Sequence, residues 1–215
     1  MVLTLYGSPM STCTRRVGIV LMEKKIPFKF VPVDLAKGEH KKPEFVEKQP
    51  FGQVPYIVDD DGFTLFESRA IARYLNEKYP EQGINLVSTG LKEKAIFEQA
   101  VSIEGSNFDR YASSAVAEKI FKPMKGLGGS DELAKTELEA LDKKLDAYNV
   151  ILGRQKYLAG DRLTLADLFH IPYGSMLAKV GYNGLEEKPN VARWWKDITS
   201  RESWQAVKDG VKGTA

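Results

Sequence analysis

Apolar and polar positions alternate along the first eighty residues in short blocks. Val2 to Tyr6 is an apolar run that breaks at Gly7-Ser8-Pro9. From Ser11 to Lys25, Val17, Ile19, Val20, Leu21 and Met22 are available for one buried helix face. Phe28 to Val33 reads as a second strand after Pro27, and the polar loop "DLAKGEHKKPEF" follows, with a helical turn at Pro43 to Glu47. Val54–Val58 and Phe63–Phe66 are two strands around Asp59-Asp60-Asp61-Gly62, an Asp-Gly hairpin signal. Ser68 to Lys78 is a helix carrying Ala70, Ile71, Tyr74 and Leu75, stopped by Tyr79-Pro80. The order β-α-β-α-β-β-α predicts a small sheet with helices on its faces.

From Leu91 the pattern becomes helical throughout. Leu91 to Lys122 is one long helical stretch with a bend expected near Gly105, and "PMKGLGGS" is a loop. Asp131 to Leu152 repeats Leu133, Leu138, Leu141, Leu145 and Tyr148 at helical spacing. Thr164-Leu165-Ala166-Asp167 is a capping-box pattern with Asp in place of the usual Glu. Helices are expected near 164–180, 190–200 and 203–210. The expectation is an α/β domain over 1–80, a linker over 81–90 and an all-α domain over 91–215.

Composition narrows the class. The 215 residues are 43% hydrophobic and 28% charged, ordinary for a soluble globular protein. The net charge of +2 and the lack of long single-sign runs argue against nucleic acid and anionic membrane as partners. The one cysteine, Cys13, rules out an internal disulfide and fits a reducing compartment. "MVLTLYGSPM" lacks the layout of a signal peptide, and no apolar stretch approaches a membrane span, so a cytoplasmic protein is expected.

Several segments carry candidate chemistry, each with a plainer reading beside it. In "GQVPYI", Pro55 cannot donate to a sheet. A cis Val54-Pro55 bond could leave the Val54 backbone open to an added peptide strand. On the hexapeptide alone an ordinary trans proline is the better reading. Ser68 stands at a helix start, where the first N–H groups attract a carboxylate, and Glu67 beside it could hold an ammonium. An isolated serine there is more often only a cap. Ser11, Thr12 and Cys13 stand at another helix start, where a hydroxyl and the helix dipole could stabilise a bound thiolate. His40, Lys41 and Lys42 could meet a second carboxylate. With only His40 and His170 and no G-x-S-x-G elbow, a serine-hydrolase arrangement has little support. Together the segments describe a pocket for a short peptide with a carboxylate at each end and a thiol between.

The pieces "YGSPMSTCTRRV", "GEHKKPEF", "PFGQVPYI", "LFESRAIARYL", "KYLAGDRLTLADLFHIPY" and "VARWWKDI", in that order, resemble a cytosolic glutathione transferase, most closely the phi class. The resemblance covers nearly the whole chain. It implies an N-terminal thioredoxin-like domain, a C-terminal helical domain, a homodimer, and glutathione (γ-Glu-Cys-Gly) as co-substrate with no metal. By resemblance, Ser11 is the catalytic serine whose hydroxyl donates to the glutathione thiolate, with Thr12 beside it as a second donor. His40 and Lys41 fall at the glycyl carboxylate, Gln53 and Val54 along the cysteinyl backbone, Pro55 at the family's cis-proline, and Glu67 and Ser68 at the γ-glutamyl end. The Asp59–Gly62 turn is one residue longer than usual, and "KGLGGS" departs from the phi pattern.

The implied reaction is attack by the glutathione sulfur on a hydrophobic electrophile, with hydroperoxide reduction as a side activity. A carrier (ligandin) that binds hydrophobic compounds without turnover is the alternative, and a thiol transferase using Cys13 is a second. The electrophile pocket is expected between the domains, lined by Met10, Leu35, Phe108, Tyr111, Phe121 and Tyr173. Phe51 is a candidate dimer knob.

Overall fold

The computed structural model describes residues 2–215. The chain divides into two compact units, one formed by residues through Leu86 together with Arg201–Ala215, the other by Val87–Ser200. The first unit runs β1 (Thr4–Gly7), α1 (Thr12–Glu23), β2 (Lys29–Pro32), a 3-10 turn (Glu39–Lys41), α2 (Pro43–Val46), β3 (Tyr56–Val58), β4 (Thr64–Phe66) and α3 (Ser68–Lys78). The sheet order is β2-β1-β3-β4, with β1 parallel to β2 and both other pairs antiparallel.

Burial explains the register. Leu5 pairs with Ile57, and both are fully buried, as are Val17, Ile19, Val20 and Leu21 of α1 and Ile71, Ala72 and Leu75 of α3. A one-residue slip would turn Leu5 and Ile57 to the opposite face. Val33, Phe45 and Tyr56 form a smaller apolar cluster with Tyr6, Val54, Val58 and Phe66 packed against it. Tyr6 stacks on Tyr56 at 4.5 Å and Phe45 meets Tyr56 edge-on. The hairpin turn is tied down from α3. Asp59, buried, accepts from Lys78 Nζ at 2.7 Å and from the Tyr74 hydroxyl.

The sequence reading carries the helical domain through to residue 215. In the structure α12 (Glu202–Val207) and the residues after it join the first unit. Arg201 and Ser203 both donate to the Glu23 carboxylate of α1, and the Thr214 N–H donates to Phe28 C=O at 2.9 Å.

The second unit holds α4 (Leu91–Glu104), α5 (Arg110–Val116), α6 (Lys122–Met124), α7 (Asp131–Leu152), α8 (Leu165–Phe169), α9 (Ile171–Leu177), α10 (Gly184–Glu187) and α11 (Pro189–Thr199). The stretch expected to bend near Gly105 passes through two π-helical turns, Gly105–Asp109 and Ala117–Phe121. The capping box forms as expected on α8. The Asp167 side chain, fully buried, accepts from Leu158 N–H, Thr164 N–H, Thr164 Oγ1 and Trp194 Nε1. Burial pushes its carboxyl above the usual range against the pull of these donors. His170 donates from Nδ1 to Ala166 C=O at 2.7 Å, so its Nε2 accepts from the Tyr148 hydroxyl at 3.0 Å. Among the described residues no helix is long and apolar enough to cross a membrane.

Candidate active site

The register of the sheet gathers the candidate residues. Tyr6, Tyr56 and Phe66 lie in one row across β1, β3 and β4. One step beyond that row β1 runs into the loop that leads to Ser11, β3 begins after Val54-Pro55, and β4 runs into Glu67-Ser68. Because β2 is parallel to β1, the loop to His40 and Lys41 leaves from the same end. Ser11, Val54, Ser68 and the 34–42 loop therefore emerge at one end of one sheet, although they lie far apart in sequence.

Ser11 caps α1 with extended backbone (φ −60°, ψ 134°), and its Oγ accepts from Thr14 N–H at 3.4 Å. That bond uses an acceptor lone pair and leaves the hydroxyl proton free to donate. Ser11 is half-buried whereas Thr12 is buried, so of the two hydroxyls Ser11's has the better access. The Val54-Pro55 bond is cis. Ladder pairing on β3 starts at Tyr56, so the Val54 N–H and C=O lie outside it. Burial, with Tyr6 adding, pushes the Tyr56 phenol up to about 12, which keeps it protonated near neutrality.

Ser68 is the first residue of α3 and only 5% exposed. Its Oγ accepts from Arg16 Nη1 at 3.0 Å. A guanidinium only donates, so the serine proton remains available for an anion at the helix end. The same Arg16 nitrogen lies 3.4 Å from Cys13 Sγ, which sets the thiol on the Arg16–Ser68 side of α1. Glu67, exposed, has φ +71°, a region that a residue with a Cβ seldom occupies and that collects at functional sites. Lys41 Nζ donates to Phe51 C=O at 3.3 Å and to Gly52 C=O at 2.8 Å, which draws the His40–Lys41 loop against the residues just before Gln53. Gln53 is exposed, and its backbone N–H donates to Gln49 Oε1.

The residues expected to contact an electrophile fall into three groups. Met10 and Leu35 are exposed, at 52% and 40%. Tyr111, Phe121 and Tyr173 are half-buried on the helical unit. Phe108 is wholly buried within that unit, 4.6 Å from the His170 ring, and offers no surface to a ligand. It is a core residue. A cleft of about 610 Å³ does exist in the helical unit, lined by Lys119, Leu138, Asp142, Val180 and Tyr182 among others. None of the six expected residues lines it. Phe51 is 65% exposed, edge-on to Phe66. Arg16 escaped the sequence reading. Its signal was an adjacent Arg15-Arg16 pair on a helix otherwise rich in buried apolar residues.

The glutathione S-transferase N-terminal domain family matches residues 1–77, and the glutathione S-transferase C-terminal domain family matches residues 112–202. The chain belongs to the glutathione transferase family. Among its relatives, glutathione S-transferase PM239X14 of Arabidopsis thaliana is 48% identical over 194 residues, covering 89% of this chain and 88% of that protein. The crystal structure of glutathione transferase F7 from Populus trichocarpa superposes with a TM-score of 0.91 at 42% identity, covering 97% of this chain and 98% of that one. Glutathione S-transferase I from maize, in complex with an atrazine glutathione conjugate, gives 0.86 at 34% identity, with 97% of each chain covered. The chain is similar to plant phi-class glutathione transferases. The first unit, with its small mixed sheet, is the thioredoxin-like domain of the family.

Proposed function

We propose that this chain conjugates glutathione to hydrophobic electrophiles, and that Ser11 stabilises the attacking thiolate. The observation that carries the reading is the Ser11 hydroxyl. It is half-exposed at the start of a twelve-residue helix, and its proton is not used in capping. A thiol with pKa ~8.5 is only a few per cent ionised at pH 7, so lowering it by about two units raises the reactive fraction more than tenfold. The hydroxyl bond and the positive end of the α1 dipole both favour the anion.

The peptide would lie along the shared sheet end. Its cysteinyl backbone would add to Val54 beside Gln53 as an extra strand. Its γ-glutamyl end would meet Glu67 and Ser68, and its glycyl carboxylate His40 and Lys41. Thr12, being buried, would serve as packing beneath Ser11. Met10 and Leu35 carry the electrophile side of the proposal, since both expose apolar surface near that end. Organic hydroperoxides are alternative acceptors for the same thiolate. The reading includes a cytoplasmic homodimer, with Phe51 as an exposed apolar contact.

The test is the initial rate with chlorodinitrobenzene and with an organic hydroperoxide, for wild type and Ser11→Ala, alongside retention on immobilised glutathione. A fall of at least about tenfold, about 1.4 kcal/mol in the barrier, in a variant still retained by the resin is expected. A wild type that binds the resin and turns over neither substrate would overturn the enzyme reading in favour of a carrier.

A further inference from the structure

The segment Arg201–Ala215 does more than lie on the first unit. It grips the chain on both sides of Ser11. Before Ser11, the Val211 N–H donates to Pro9 C=O at 3.2 Å. Next to it, a Cβ on Gly210 would sit 3.5 Å from Pro9 Cβ and 3.6 Å from Met10 Sδ, and Gly210 has φ +122°. The segment thus follows the Pro9–Met10 loop closely. After Ser11, the Arg15 guanidinium lies 5.4 Å over the Trp204 ring and donates to Lys208 C=O at 3.2 Å. Arg15 N–H is itself bonded to the Ser11 C=O at 2.9 Å. Val207 and Val211 are buried against α1, where a Cβ at Gly18 would meet Val211 Cγ2 at 2.9 Å. The far end of the segment is fastened separately, through the Thr214 and Ala215 N–H groups to Phe28 C=O.

We propose that Arg201–Ala215 is a positioning element for the chemistry at Ser11, with the Val211 N–H and the Arg15–Lys208 bond as its two contacts. The proposal rests on the Ser11 reading above. A hydroxyl that donates to a thiolate must point within a narrow cone, because such bonds weaken steeply as they bend. The local bonds at Ser11 are the cap, a long 3.4 Å contact from Thr14 N–H, and a turn bond from Ser11 N–H to Ser8 C=O at 3.0 Å, and both stay within residues 8–14. The loop before it has no strand partner of its own, and the Pro9 carbonyl is where the segment holds it. Val211 and Arg15 act through the backbone next to Ser11 and touch no reacting atom.

The experiment is a pH titration of the thiolate absorbance of enzyme-bound glutathione, with kcat and KM, on the full chain. It compares wild type, Ser11→Ala, Val211→Pro, Arg15→Met and a chain ending at Lys212. Val211→Pro deletes the N–H, and Arg15→Met removes the bond to Lys208 while keeping bulk beneath Trp204. Each is expected to raise the bound-thiol pKa by about half to one unit, which from a bound value near ~6.5 lowers the thiolate fraction, and kcat with it, about 1.5- to threefold at pH 7. Glutathione KM should stay within about twofold. The chain ending at Lys212 loses the Phe28 bonds and should melt lower without moving the titration. If one point variant does not fold, the other reports on the second contact independently. A titration shifted by Ser11→Ala and by neither folded point variant would overturn the positioning role while the Ser11 reading stands. A titration that Ser11→Ala itself leaves in place would overturn both.

Discussion

Ser68→Ala separates the two jobs that one hydroxyl is asked to do. In the folded chain Ser68 Oγ is a buried acceptor for Arg16 Nη1 at 3.0 Å. In the proposed complex its proton goes to the γ-glutamyl carboxylate. Alanine removes both. The first loss leaves a donor of a buried guanidinium without its serine partner, which costs about 1–3 kcal/mol for a typical buried group. Arg16 also reaches Cys13 Sγ and has further contacts, so the lower end, about 1 kcal/mol, is expected. The second loss is a hydrogen bond to a charged group, about 1.5–3 kcal/mol, or roughly 10- to 100-fold in glutathione affinity. The N–H groups at the start of α3 remain, so binding weakens and does not vanish.

The γ-glutamyl end takes no part in bond making at sulfur, so its contacts hold ground state and transition state alike. The loss should therefore appear in KM, with kcat nearly unchanged. The assay is glutathione KM and kcat at saturating electrophile, with calorimetric Kd as a check. A glutathione analogue lacking the γ-glutamyl α-carboxylate closes a thermodynamic cycle. It should bind wild type weakly and bind Ser68→Ala no worse. The reasoning is refuted if folded Ser68→Ala keeps its glutathione Kd within about twofold. It is also refuted if the analogue and glutathione lose affinity equally, since the effect would then be a general disturbance of the site.

Other perturbations test the frame around the site. Asp167→Asn keeps one acceptor oxygen for four donors, two of them backbone N–H groups. It should lower the urea unfolding free energy by about 2–4 kcal/mol, with glutathione KM unchanged in the folded enzyme, and a loss below about 1 kcal/mol would deny the network its structural weight. Burial pushes the Asp59 carboxyl up, but Lys78, Tyr74 and the Asp60 N–H outweigh it and hold it below the usual range. The unfolded carboxyl therefore binds its proton first, near pH ~3.9. The Asp59 contribution is complete above that pH and disappears as pH falls through the lower folded value, so Asp59→Asn should flatten the acid limb of a melting-temperature profile; an unaltered limb would count against the ion pair. Lys41→Met should raise glutathione KM about threefold to fivefold at low salt, with the difference shrinking as salt screens the exposed charge; a salt-independent effect would mean that Lys41 acts by holding the 51–52 carbonyls.

The sequence made several local elements legible for physical reasons that stay within a few residues. The Asp-Gly turn, the helix stop at Tyr79-Pro80 and the capping box at Thr164–Asp167 each specify their own geometry. What it could not show is where a helix changes its hydrogen-bond register. A pattern of period 3.6 identifies 91–122 as helical, but each π-helical turn inserts a residue and rotates everything after it by roughly 100°. Phe108 lies in the first such turn, Gly105–Asp109, and faces His170 in the core. Helical spacing alone does not tell a core face from a pocket wall, so Phe108's place in the core was not legible from the pattern.

The site residues show a different limit. Ser11, Val54 and Ser68 each had an ordinary reading, and no feature of its own segment decides against that reading. The row Tyr6–Tyr56–Phe66 supplies the deciding information, because it brings three loop ends to one edge of the sheet. That row depends on burying Leu5 against Ile57, a choice made by packing far from the chemistry. Arg16 and Val211 carry the same argument further. One reaches Ser68 across 52 residues of chain, and the other reaches Pro9 from the opposite end of the sequence. Neither has a motif, since a buried arginine or a backbone N–H acquires its role only from the fold that surrounds it. Residues of this kind govern how well a recognised site works, and substitutions at them should move the thiolate titration or the glutathione KM while every motif residue remains in place.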